Sequence, residues 1–206
     1  MATQNTEQKL LSKIRRKGRG WAFSQRDFAR LASRGAIDIA LHRLLAKGMI
    51  RRVIRGIYDY PHHSELLDAD VSPDIDGVAA ALARKFSWRI QPSGPAAQNL
   101  LGLSTQVAAM YVYLSDGPDR SYDINGTTLK FKHTALKEAG FRHRESSLIV
   151  QAIKSLGAER IGPRAIARIR RWLDPKLREM ILNDTSTVTG WVYAAIREIC
   201  RKGDDG

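Results

Sequence analysis

The 206-residue chain has one cysteine, Cys200. A lone thiol excludes an intramolecular disulfide and suits a reducing compartment, so a free, buried thiol is expected. No run of about 18 apolar residues occurs, so no membrane-spanning helix is expected. The opening "MATQNTEQKLLSKIRRKGRG" has no apolar signal-peptide core. These absences together lead to the expectation of a cytoplasmic protein without membrane contact. Enzyme signals are also scarce. There is no glycine-rich phosphate loop, no HExxH and no CxxC. The adjacent His62 and His63 have no further ligands nearby in sequence, Asp116 in "LSDGP" reads as a turn former, and no base is indicated for Ser104 or Thr105. The expectation is therefore a non-enzyme with no metal and no cofactor.

Negative charge is the other shortage: 21 Asp/Glu face 34 Lys/Arg, for a net charge of +13. Its distribution says more than its size. Residues 1–60 hold 14 Lys/Arg against 4 Asp/Glu, and residues 61–206 hold 20 against 17. Most of the excess sits on under a third of the chain, which points to a polyanion, most often nucleic acid. The plainer alternative is a solvated basic surface that aids solubility.

The pattern of the first 60 residues predicts three helices and a hairpin. Leu10, Leu11 and Ile14 stripe a helix over 6–16, closed by Gly18 and Gly20. "GWAFS" reads as extended, and Ser24 as the N-cap of a second helix with Gln25, Arg26 and Asp27 in its first turn and Phe28 and Leu31 inside. A third helix over 36–47 puts Ile37, Ala40, Leu41, Leu44 and Leu45 on one face and Gly35, Ile39, His42, Arg43 and Ala46 on the other. Gly48 suits the position just past its end. "MIRRVI" and "IYDY" then form a hairpin with Arg55-Gly56 at the tip, stopped by Pro61. Strict alternation cannot expose both Arg51 and Arg52, and Arg52 is expected to be the less exposed.

An acidic, irregular stretch, "HHSELLDADVSPDIDG", follows. It predicts a boundary, with a first domain over 1–62, a linker over 63–73 and a second domain over 74–206. The second part mixes a helix over 75–86, a strand at "WRIQP", a helix in "GPAAQNLLG", a strand "AMYVYLSD", a hairpin turning at Asn125-Gly126, and a helical tail over about 145–156, 163–173, 175–183 and 190–201. The fold class expected is α+β: a winged helix–turn–helix, then a mixed α/β domain with a small, mostly antiparallel sheet.

In a helix–turn–helix the second helix enters the major groove. The helix over 36–47 would serve that role, with the basic hairpin as a wing. The expected DNA-contacting residues are Ser24, Gln25, Arg26, Arg34, Ile39, His42, Arg43, Arg51, Arg55 and Tyr58. His42 and Arg43 can donate to phosphates or guanine edges, and Ile39 can meet thymine methyls. The duller readings are a solvated His42, and Tyr58 and Tyr60 packing the ribbon onto the helices. Winged domains can also mediate protein contacts.

"GRGWAFSQRDFARLASRGAIDIALHRLLAKGMIRRVIRGIYDYP", followed by "IQPSGPAAQNLLGLSTQVAA", "YLSDGP" and "LKFKHT", resembles the AbiEi-type antitoxins of type IV toxin–antitoxin systems, in the branch formerly described as a domain of unknown function. The resemblance covers about residues 8–157, and "SGPAAQNLLGLSTQV" is its most specific motif. Ala108 departs from the proline expected there. The resemblance implies a winged helix that represses the operon's own promoter and a C-terminal domain that counteracts a nucleotidyltransferase-like toxin, with direct contact left open. A monomer or weak dimer on double-stranded DNA is expected. The alternative is an orphan regulator or protein-interaction module whose second domain binds an effector. Ser93, Gln98, Asn99, Ser104, Thr105 and Gln106 are either a partner or effector surface or the builders of a tight helix–strand corner. In the tail, which matches no pattern, Arg164, Arg168 and Arg171 share a helix face. That basic patch reads as a solvated face, a second DNA contact or a surface for an acidic partner.

Overall fold

The computed structural model describes residues 5–66, 68–104, 109–134 and 141–201. The fold is α+β. The chain divides into two compact units, 1–88 with 122–129, and 89–121 with 130–206.

The first unit opens with helix α1 (Thr6–Lys17) and strand β1 (Ala22–Phe23). A single 3-10 turn, Gln25–Phe28, stands where a second α-helix was expected. The Ser24 and Ala29 N–H groups explain the tight turn: the first donates to Asp27 Oδ2 (2.8 Å) and the second to the Arg26 carbonyl three residues back (3.2 Å). Helix α2 (Arg34–Ala46) begins two residues earlier than predicted, because Ser33 is its N-cap and accepts from the Ala36 N–H. Its end follows the Schellman pattern, with Gly48 N–H on the Leu45 carbonyl and Met49 N–H on the Leu44 carbonyl (both 3.0 Å). Gly48 takes φ +66°, as a residue in that position requires.

Strands β2 (Arg51–Ile54) and β3 (Ile57–Asp59) form the hairpin, and β1 completes a three-stranded sheet in the order β1-β3-β2. Both pairings are antiparallel, with Phe23 opposite Tyr58 and Arg51 opposite Asp59. The core beneath joins Leu10 and Ile14 of α1, Phe23, Phe28, and Ile37, Ala40, Leu41 and Leu44 of α2. Phe23 and Phe28 meet edge to face at 5.4 Å. Each fully buried side chain of this kind contributes about 1.5–3 kcal/mol, so the inner face read from periodicity holds α2 in place.

The stretch expected as a linker is partly ordered: β4 (His63–Ser64) pairs antiparallel with β5 (Ala69–Asp70). Helix α3 (Ile75–Phe86), capped by Asp74, belongs to the first unit and not to the second domain as expected. Two side chains explain this. Arg84 Nε donates to Asp27 Oδ1 (2.7 Å) and its Nη2 to the Ala22 carbonyl (2.8 Å), while Arg26 donates to the Lys85 carbonyl (2.9 Å).

The second unit carries β6 (Ile90–Pro92), α4 (Gly94–Leu100) and β7 (Met110–Ser115), while the hairpin of β8 (Arg120–Ile124) and β9 (Thr127–His133) is divided, with residues 122–129 in the first unit. The sheet order is β6-β7-β9-β8, with β6 and β7 antiparallel. The predicted Asn125-Gly126 turn has both residues at positive φ (51° and 83°), which only such a pair adopts cheaply. Helices α5 (Arg144–Leu156), α6 (Pro163–Trp172), α7 (Arg178–Asp184) and α8 (Gly190–Cys200) follow. Their shared core is aliphatic, with Ile149 and Ile153 of α5, Ile166 and Ile169 of α6, Ile181 of α7 and Ile196 and Ile199 of α8. Cys200 joins it as a free thiol, and burial pushes its pKa up, away from reactivity. Among the described residues no helix is long and apolar enough to cross a membrane, and no group of three His, Cys, Asp or Glu is placed to hold a metal ion.

Candidate nucleic-acid interface

The first unit contains a groove of about 740 Å³ between the 3-10 turn, the start of α2 and the hairpin tip. Ser24, Gln25, Arg26, Arg34, Arg55 and Tyr58, all expected as DNA-contacting residues, line it. So does Lys85 of α3, which sequence reading missed. Its Nζ donates to the Arg55 carbonyl (3.3 Å). Gly56 at the tip takes φ +76°, a conformation that favours glycine. Nothing in the local pattern around Lys85 points to the groove, because the residue arrives there through the docking of α3. Asp38 is the one carboxylate in the lining.

The neighbouring face of α2 is open. Ile39, His42, Arg43 and Ala46 are exposed, and Ile39 keeps 56% of its surface accessible despite being an apolar side chain.

Not every expected contact is free. Ser24 is buried, and its hydroxyl lies 3.3 Å from Asp27 Oδ2, so it builds the turn instead of facing outward. Gln25 donates to the Arg34 carbonyl (3.2 Å). Tyr58 stacks on Phe23 with ring centroids 6.2 Å apart, the packing role left open for it.

The two hairpin arginines are reversed from expectation. Arg51 is the sequestered one: Nη2 and Nε reach Asp59 Oδ2 and Oδ1 at 2.6 and 3.1 Å, and Nη2 also donates to the Val71 carbonyl (3.0 Å). Asp59 is only 2% exposed. Its hydrogen bonds hold the Arg51 guanidinium charged, raising its pKa against the opposing effect of burial. Arg52 is exposed. The register shift in β2 lies after Arg52, so the two arginines still point to opposite sides and the one facing Asp59 is captured. Arg52 therefore takes the outward place expected of Arg51.

In the second unit, the "SGPAAQNLLG" segment acts first in packing. A Cβ at Gly94 would fall 2.3 Å from Ser155 Cβ, so α4 and α5 pack at a distance only glycine allows. Gln98 donates to Ser155 Oγ (2.9 Å) and Asn99 to the Pro95 carbonyl (3.1 Å), while Ser93 is the N-cap residue of α4. Leu103 N–H and Gly102 N–H close α4 on the carbonyls of Gln98 and Asn99, a second Schellman end. Ser104 is half-buried, and Thr105 and Gln106 lie outside the described residues. Arg164 and Arg168 are exposed neighbours on α6, and Arg171 is exposed one turn further on.

Residues 9–181 match DUF6088, a family of unknown function, and the chain belongs to it. The match runs past residue 157 into the helical tail. No curated protein matches the chain.

Proposed function

We propose, for this member of a family whose function is not known, that the first unit is a winged helix–turn–helix that binds duplex DNA, and that the chain is an autorepressor serving as the antitoxin of a type IV toxin–antitoxin pair. The observation that carries the DNA reading is the convergence of Arg26, Arg34, Arg55 and Lys85 around one groove, beside the open α2 face with Ile39, His42 and Arg43. The order α1, β1, turn, α2, β2, β3, with β1 on β3, supports the reading of α2 as a recognition helix and of the hairpin as a wing. Arg52 and Arg55 on the hairpin suit phosphates, and α2 suits the major groove. Asp38 moderates the positive field and can accept from a cytosine amino group. The antitoxin role rests on the resemblance of "SGPAAQNLLGLSTQV" and its surroundings to AbiEi-type proteins. The functional partner in this reading is a nucleotidyltransferase-like toxin encoded nearby.

The test is a mobility-shift titration of the full chain on the DNA upstream of its own gene. Affinity is expected to fall with salt, with a log–log slope of about −0.9 per phosphate contact. Arg55→Ala should weaken binding to all sequences alike. Arg43→Ala should weaken it and relax base preference, by about 1–3 kcal/mol where the side chain meets a guanine. Absence of binding, or binding indifferent to salt, would defeat the DNA reading. Failure of the chain to rescue growth from the neighbouring toxin would defeat the antitoxin role alone. A second reading, a regulator answering a small effector, is favoured by one feature of the second unit.

A further inference from the structure

That feature is a pocket of about 930 Å³ formed where α4 ends and α6 begins. Three arginines line it: Arg160 from the 3-10 turn Ala158–Arg160, and Arg164 and Arg168 from α6. Leu103, Leu156 and Pro163 form an apolar wall. No carboxylate is among the lining residues, and neither Arg164 nor Arg168 forms an ion pair with a described residue. Arg160 is held by its Nε on the Leu156 carbonyl (2.8 Å), which leaves the rest of its guanidinium uncommitted to that bond. Arg168 is brought in closely: a Cβ on Gly102 would overlap its guanidinium, at 2.3 Å from Nη2.

From this geometry we infer that the pocket binds a small phosphate monoester with an apolar body. Three like charges around one concavity repel one another unless an anion sits among them. Guanidinium forks match the oxygens of a phosphate, and a phosphate dianion neutralises more of the cluster than a monocarboxylate does. The depression is open to solvent, with Arg160, Pro163, Arg164 and Arg168 exposed, and it sets a few charged groups beside an apolar wall. The face predicted from helical periodicity was Arg164, Arg168 and Arg171. Arg160 replaces Arg171, which lies outside the lining. The proposal concerns the second unit and stands apart from DNA binding by the first.

The experiment is calorimetric titration of the full chain with phenyl phosphate, inorganic phosphate and benzoate. Saturable binding is expected, with phenyl phosphate tightest, since it alone offers both the dianion and the apolar body. Arg164→Gln and Arg168→Gln should each weaken it at least about tenfold, a hydrogen bond to a charged group being lost in each case. Arg171→Gln removes the same charge from the same helix outside the pocket and should leave affinity within about twofold. All three residues are exposed, so the folded state is checked simply by circular dichroism. No saturable binding of phenyl phosphate overturns the proposal, as does equal weakening by all three variants, which would mark a diffuse charge effect. Absent phenyl phosphate binding together with a reduced DNA salt slope in the double variant overturns it in favour of a second duplex contact.

Discussion

The two units handle positive charge differently. In the first, several cations have internal partners. Arg51 is bound to Asp59, Lys47 to Glu7 and Arg84 to Asp27. Arg19 donates to the Pro61 carbonyl and lies 4.7 Å over the Tyr60 ring. Around the groove, the outer face of α2 and the hairpin stand cations from distant segments, Arg26, Arg34, Arg43, Arg52, Arg55 and Lys85, of which Arg26 and Lys85 also donate to backbone carbonyls. In the second unit the arginines of one short segment, 160–168, pair with no carboxylate among the described residues. The two units hold 16 Lys/Arg against 10 Asp/Glu and 18 against 11, so they differ in how their cations are partnered and not in net charge. A count of cations locates a partner surface only after those with internal partners are set aside.

The pair Arg51 and Arg52 sharpens this contrast most. Arg51→Ala leaves Asp59 buried without its partner and should destabilise the fold by about 3 kcal/mol, measured by urea unfolding. Arg52→Ala should leave stability within about 0.5 kcal/mol while weakening DNA binding. If Arg51→Ala unfolds at the parental midpoint, the distinction between structural and available charge fails for this hairpin.

A smaller effect is expected where α7 supports α5. Asp184 accepts from the backbone N–H groups of Arg142 and His143 at 2.9 and 3.0 Å, supplying the start of α5 with acceptors that the helix itself lacks. Asp184→Ala should cost about 1 kcal/mol in the second unit, with DNA affinity unchanged. A DNA-binding loss in this variant would argue against assigning the DNA interface to the first unit.

The smallest effect concerns the arginine cluster itself. Arg164 and Arg168 repel at i and i+4, so without an anion present Arg164→Gln should stabilise by a few tenths of a kcal/mol. Added inorganic phosphate should narrow that difference. A destabilisation by Arg164→Gln under low salt would show that the arginine has a structural partner.

The local features were legible in the sequence. Periodicity alone identified the inner face of α2, since Ile37, Ala40, Leu41 and Leu44 are all buried and Ile39, His42, Arg43 and Ala46 are all exposed. Gly48 past the helix end and Asn125-Gly126 at the hairpin turn were equally readable, because positive φ is a one-residue requirement that few side chains meet. In β7, expected as a strand and found as one, Tyr113 is buried and Met110 is 53% exposed, so the burial of its two sides was set by what packs on them. Gln98 was legible as either a surface or a corner residue, and only the proximity of Ser155 made it a packing contact.

Tertiary structure decided the rest, and for one physical reason. Helical and strand periods order side chains around a single element, but the environment of a charge is set by what a distant segment brings to it. Asp59 across the ladder made Arg51 structural and left Arg52 exposed. The ion pair between Arg84 and Asp27 brought α3, and with it Lys85, to the groove. Residue types and local geometry were determined by the sequence at short range; which charges are paired and which remain for a partner was settled by contacts 8 to 59 residues apart.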